Sequence, residues 1–247
     1  MKRATGFTLV ELSLALIIIG LVLSGMLGAY RNQLEANRIR ETRQALADIR
    51  EALFGFTLGH GHLPCPADPT LASASPGAGV ESRTAAGQCT REEGVLPWAT
   101  LGLKELDAWG GRFSYRITDY FADTNHTTIG AGSSCAPAAD LAISFAVCSS
   151  GDITILSQPG TLGVPTSVAV FVSHGKNLQG AYGPQGGTRS AGSTGAELEN
   201  ANEDTVFISQ PFVNQINESS PVNYDDLVEW IPASLLIGKM VEAKRLP

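Results

Sequence analysis

Residues 1–30, MKRATGFTLVELSLALIIIGLVLSGMLGAY, decide how the rest of the chain is read. From Phe7 to Ala29 every residue is uncharged except Glu11. As a helix the run would be about 34 Å long, enough to cross a hydrocarbon layer of roughly 30 Å. It is too long for a secretory h-region, and no A-x-A cleavage pattern follows it. A carboxylate at that depth costs about 3 kcal/mol on insertion scales, and such residues usually have a function. Glu11 therefore needs a partner.

The helical pattern continues past Ala29. In the stretch from Arg31 to Phe56, the apolar residues Ile39, Leu46, Ile49, Leu53 and Phe56 recur at spacings of seven, three, four and three. That is one stripe of an amphipathic helix. Glu41, Arg43, Asp48, Arg50 and Glu51 cover its other faces. No proline interrupts residues 7–63, so one helix is expected to run to about Gly59, where GHGHLPCP stops it. The division is thus a basic leader (1–6), a membrane-embedded helix (7–29), its amphipathic continuation (30–59) and a globular domain (60–247).

The 247 residues carry a net charge of −7, which argues against nucleic acid as a partner. Lys2 and Arg3 place the N-terminus in the cytoplasm by the positive-inside bias, whereas Arg31, Arg38, Arg40 and Arg43 pull the other way. The four cysteines, Cys65, Cys89, Cys135 and Cys148, are widely spaced and form no C-x-x-C pair. In an oxidising compartment an even count favours two disulfides. Of the three connectivities, Cys65–Cys89 with Cys135–Cys148 closes the shortest loops.

Beyond residue 60 the chain reads as β-rich. Residues 68–94 are small and polar, a loop. A strand is expected from about Arg112 to Tyr120. LAISFAVCS and DITILSQ read as strands that could pair through a Ser149–Gly151 turn. SVAVFVSH, β-branched and apolar throughout, reads as a central strand. Gly175–Ala196 is a long glycine-rich loop, DTVFISQPF another strand, and the last 23 residues mix helix and strand signals. The fold class is α+β: a long N-terminal helix on an antiparallel sheet.

KRATGFTLVELSLALIIIGLV resembles the class III signal of type IV prepilins and type II secretion pseudopilins. The resemblance covers about thirty residues. It implies that a prepilin peptidase cuts after Gly6 and methylates the new amine of Phe7, which puts Glu11 at the fifth position of the processed chain. LPCPA and GVLPWATLGLKELDAWGGRFSYRI are similar to a segment of many pseudopilins and minor pilins, and SHGKN, ENANEDTVFIS and DDLVEWI resemble one subgroup of minor-pilin-like proteins. The proline that kinks many major pilin helices is absent; Gly20, Gly25 and Gly28 stand there.

The resemblance implies a minor pilin or pseudopilin, a structural subunit of a type IV pilus or type II secretion pseudopilus. It would be a single-pass protein of a bacterial inner membrane with a periplasmic domain. Its partners would be other pilin subunits, the prepilin peptidase and the inner-membrane assembly platform. Glu11 would then meet the Phe7 amine of a neighbouring subunit, two charges that relieve each other's desolvation only when helices stack in register. The alternative is an anchored binding module, an adhesin or DNA-capturing tip with the Gly175–Ala196 loop as its contact surface.

An enzyme is not expected. Ser173 and His174 are adjacent on a strand and point to opposite faces, and no G-x-S-x-G elbow is present. His60 and His62 lack a third metal ligand in the sequence nearby. Asp107, Trp109 and Gly110 read as a turn with a buried indole. Glu199, Asn200, Asn202, Glu203 and Asp204 are oxygen donors of the kind calcium uses. The glycine–aspartate pattern of major pseudopilin calcium loops is not reproduced, so a solvated acidic turn is expected, with Glu199, Asn202 and Asp204 as the calcium candidates. No other cofactor is implied.

Overall fold

The computed structural model describes residues 8–124, 142–161, 163, 165–190, 195–215 and 222–247, with the backbone alone for residues 22–29, 213–215, 222 and 223. Helix α1 spans Leu9–His60 without a break through Gly20, Gly25 and Gly28. Two compact units divide the chain, Met1–Glu41 and Thr42–Pro247.

In the first unit the side chains of residues 8–21 are all exposed. Leu9, Val10 and Leu21 are 86, 75 and 68% exposed. Among the described residues no helix is long and apolar enough to cross a membrane. The expected span of residues 7–29 includes Phe7 and the side chains of 22–29, which lie outside the description.

The second unit is built on a four-stranded sheet in the order β1-β2-β4-β8, antiparallel throughout. Its strands are β1 (Glu93–Val95), β2 (Ser114–Ile117), β4 (Ser167–Ser173) and β8 (Leu227–Pro232). Helix α2 (Trp98–Leu101) lies between β1 and β2, and α4 (Ala233–Glu242) follows β8 directly. Strand β4 is central, as its composition predicts, and all seven residues are buried. Ala169 and Phe171 face one core; Val170 and Val172 face another, with Ile153, Phe207 and Val228. A strand buried on both faces shows no polar alternation.

The Thr42–His60 part of α1 packs against the first of these cores. Leu46, Ile49, Leu53 and Phe54 are buried with Phe113, Tyr115, Ile117, Phe171, Ile231 and, from α4, Leu236, Ile237 and Met240. Burying each aliphatic or aromatic side chain contributes about 1.5–3 kcal/mol. The stripe differs from expectation at its end: Phe54 takes the buried place, and Phe56 is half-buried, stacked on His60 at 4.0 Å. Thr42 and Thr57 also lie inside the buried stripe, the Thr57 hydroxyl donating to the Leu53 carbonyl at 2.8 Å.

Among the described residues two small sheets accompany the four-stranded one. Strand β3 (Thr154–Leu156) pairs with β5 (Val206–Ile208) in parallel, so the domain is not antiparallel throughout. Strands β6 (Val213–Gln215) and β7 (Val222–Tyr224) pair antiparallel. The expected hairpin of LAISFAVCS with DITILSQ does not form. Ile143 and Phe145 are buried, but Ser144 donates its N–H to the Gly61 carbonyl and its hydroxyl to the Phe121 carbonyl, in irregular backbone. Gly151 lets the Ser167 carbonyl approach to 1.9 Å of where a Cβ would sit, so this turn serves β4 instead. The expected Arg112–Tyr120 strand is shortened to β2 and followed by a 3-10 turn, Asp119–Phe121.

Cys65 and Cys89 form a disulfide as expected, with Cα atoms 5.3 Å apart. Cys148 is also disulfide-bonded, and the expected pairing with Cys135 lies outside the described residues.

Candidate functional site

Among the described residues two places carry candidate chemistry. The first is the start of α1. The Thr8 hydroxyl accepts the Glu11 N–H at 3.3 Å, while the Glu11 carboxylate accepts the Thr8 N–H and hydroxyl at 3.0 and 2.9 Å. This is a reciprocal capping box, which satisfies amide donors that the helix leaves unpaired. The T-x-x-E signature of this box stands in the sequence at Thr8 and Glu11, inside an apolar run that draws the eye to the charge rather than to the cap. Glu11 stands alone as an acidic group among exposed apolar side chains. Gly6 and Phe7 lie outside the described residues.

The second place is a polar cluster in the globular unit. Helix α3 (Ala196–Glu199) carries Glu197, and the link between β7 and β8 carries Asp225 and Asp226. One oxygen from each of these three carboxylates lies within 4.8 Å of the others. Asn177 Nδ2 donates to Glu197 Oε1 and Oε2 at 2.9 and 3.1 Å, and the Asp225 N–H donates to Oε1 at 3.1 Å. The Lys176 and Asn177 amides both reach Asp225 Oδ2 at 3.0 Å. Asn200 Nδ2 reaches Asp226 Oδ2 at 2.8 Å. Gly175, at φ +58°, makes the close approach possible: a Cβ there would lie 2.3 Å from the Asp225 carbonyl oxygen.

Burial and the neighbouring Asp226 push the Glu197 carboxyl up to about 7, and burial raises Asp225 as well. No spacing motif announces this trio, because Glu197 and the Asp225–Asp226 pair are remote in sequence and meet only through the fold.

Other sequence candidates are placed differently. Ser173 donates to Asp107 Oδ2 at 2.6 Å, while His174 Nε2 lies 2.9 Å from the Ser114 hydroxyl. The two neighbours thus serve separate networks. Asp107 accepts the Trp109 and Gly111 amides, both at 2.9 Å, which builds the expected turn, though Trp109 is only half-buried. His60 and His62 sit around Phe56 with ring centroids 6.0 Å apart. Asn202 Nδ2 donates to Glu199 at 3.2 Å and to Asp204 at 2.8 Å, so the three calcium candidates of the sequence form an exposed turn held by its own amide. In the Gly175–Ala196 loop, Arg189 stacks over Tyr182 at 4.7 Å and pairs with Glu93 of β1.

Compared with known proteins, residues 1–27 match the family model of the prokaryotic N-terminal methylation motif. No curated protein and no solved structure matches the chain. The chain therefore opens with the class III signal peptide of the type IV pilin and pseudopilin family.

Proposed function

We propose that this protein is a minor pilin or pseudopilin, a structural subunit rather than an enzyme. In this reading it is cleaved after Gly6, methylated at Phe7, and held in a bacterial inner membrane by residues 7–29 with Thr42–Pro247 outside. Its partners are the prepilin peptidase, the assembly platform and other pilin-like subunits. The observation that carries the reading is the methylation motif over residues 1–27, continuing into a helix whose first two turns expose Leu9, Val10, Leu12, Leu14 and Leu16 around one carboxylate. Such a surface suits lipid or the apolar flanks of sister helices, and Glu11 suits a neighbour's terminal amine.

The test is processing. Gly6→Leu places a side chain where the backbone would enter the peptidase cleft, so the uncut precursor should accumulate in the membrane fraction. An N-terminus at Phe7 in that variant, read by mass spectrometry, would refute the assignment.

A further inference from the structure

The guanidinium of Arg83 uses all five of its N–H groups inside one joint of the globular unit. Nε donates to Glu81 at 3.0 Å, and Nη1 to the carbonyls of Gly87 and Ala122. Nη2 donates to the Leu63 carbonyl at 3.1 Å and to His62 Nδ1 at 2.8 Å. Arg83 thereby ties the residues after α1 to the loop closed by Cys65–Cys89 and to Ala122, just past the 3-10 turn. His62 Nδ1 has a second partner within reach, the Leu63 carbonyl at 2.9 Å. The two partners exclude each other. Arginine only donates, so the neutral ring keeps that bond by carrying its proton on Nε2, whereas bonding the carbonyl needs a proton on Nδ1. The ionisable neighbours of the ring are Arg83, Glu81 and His60, and residues 142–149, which pack on Gly61, bring no charged side chain. Burial and the Arg83 charge hold the imidazole below its ordinary 6.5, against the opposing pull of the Leu63 carbonyl and Glu81.

We propose that His62 is a pH-operated catch on the Cys65–Cys89 loop: a proton on Nδ1 turns the ring from acceptor of Arg83 into donor to the Leu63 carbonyl and frees the guanidinium. Two cationic donors cannot stay 2.8 Å apart in a half-buried site, and Glu81 already serves both Arg83 and the Cys65 amide. Arg83 is the one to leave. His62 is anchored by the buried Leu63, Pro64 and Cys65 that follow it, with the Leu63 N–H bonded to the Phe121 carbonyl at 2.8 Å. Once the guanidinium swings away, the Gly87 and Ala122 carbonyls lose a shared donor, while Thr124 stays bonded to Gly87. The disulfide keeps the loop tethered, so the opening is local and reversible. Because the fold favours the neutral ring, the catch is closed above about pH 6.5 and opens as pH falls below it. The device lies wholly in the globular unit and does not depend on the filament reading.

The experiment uses the full chain in detergent, without reductant. Ring resonances of labelled histidine are followed from about pH 8 to about pH 4.5, with His62→Asn identifying the His62 signal. Amide hydrogen exchange is measured in parallel on wild type, His62→Asn and Arg83→Lys. Asparagine keeps an amide oxygen near the Nδ1 position and cannot take a proton, and lysine cannot reach all five partners. The His62 midpoint should lie below 6.5. At about pH 7.5, residues 83–88 and 122–124 should exchange alike in wild type and His62→Asn. At about pH 5 they should exchange about tenfold faster in wild type, with strand β4 equal in both. Arg83→Lys should be fast at both pH values. Comparing variants at one pH cancels the intrinsic pH dependence of exchange and the titration of Glu197. A His62 midpoint at or above 6.5 would overturn the proposal, and so would a ratio of wild type to His62→Asn that stays constant across pH. Should His62→Asn fail to fold by circular dichroism, His62→Gln, equally unable to charge, takes its place.

Discussion

Thr8 and Glu11 are joined by three hydrogen bonds: the hydroxyl of Thr8 takes the amide of Glu11, and the carboxylate of Glu11 takes the amide and hydroxyl of Thr8. In the single subunit Glu11 therefore already has a role, as a helix cap worth about 0.5–2 kcal/mol. The proposed assembly contact must compete with that cap, which allows the two roles to be separated. Thr8→Val removes the two hydrogen bonds of the hydroxyl and keeps the carboxylate with its bond from the residue-8 N–H. Glu11→Val removes the carboxylate and, in the filament reading, leaves a neighbour's amine buried without its partner, a loss of about 2–5 kcal/mol. Crosslinking to partner subunits in membranes should survive Thr8→Val and fail in Glu11→Val, with cleavage after Gly6 intact in both. Equal crosslinking in all three proteins would remove Glu11 from the assembly contact.

Leu53 has no exposed surface and sits between α1 and the sheet, whereas Phe56, one turn on, is half-buried beside His60. Leu53→Ala should lower stability by about 2–5 kcal/mol through the cavity it leaves. Phe56→Ala should cost clearly less despite deleting a larger side chain. Chemical denaturation of the two variants checks the order.

The Cys65–Cys89 bridge spans a sequence separation of 24 residues. Closing a loop of that size stabilises by about 3 kcal/mol in the chain-entropy treatment. A Cys65→Ser/Cys89→Ser variant should unfold at lower denaturant by a corresponding amount. Peptide mapping of the wild type without reductant should recover the linked pair.

Stability should also depend on pH through Glu197. Its folded value of about 7 lies above the ordinary 4.5, so between those limits the folded state retains a proton that the unfolded chain has released. The contribution is fully present below about pH 4.5 and is lost as pH rises through 7, a change on the order of 3 kcal/mol. Asp225 and Asp226 face Glu197 from the β7–β8 link, Asn177 faces it from the segment after β4, and His174 stands behind Asp226. Urea midpoints in chelator from pH 4.5 to 8 should fall for wild type and flatten for Glu197→Gln. Parallel slopes would assign the effect to other groups.

Much of this was legible in the sequence because it is written at short range. The Phe7–Ala29 run, the helical stripe and its stop at GHGHLPCP each lie within one element, and the β-branched SVAVFVSH needs no partner to be read as interior strand. The failures share the opposite property. Ile143 and Phe145 alternate as a strand would, but alternation reports a buried side and not a pairing partner, and their neighbours are Gly61 and Phe121. The parallel pairing of β3 with β5 joins residues some fifty positions apart. Ideal helical spacing points to Phe56, whereas the buried place at the helix end belongs to Phe54. The Glu197–Asp225–Asp226 cluster is the extreme case, since no local pattern connects its members.

Strand β8 lies against the central β4, yet it is the last strand in the chain. The β4–β8 register joins Phe171 to Glu229 and Val172 to Val228, so closing it brings together residues more than fifty positions apart. Pairings of that range form late, because the entropy of closing the loop must be overcome first. The sheet therefore cannot be finished strand by strand as the polypeptide emerges. Until residues 227–232 arrive, β4 has one long edge bare and its apolar residues uncovered, and this nascent intermediate is the species most exposed to aggregation and proteolysis.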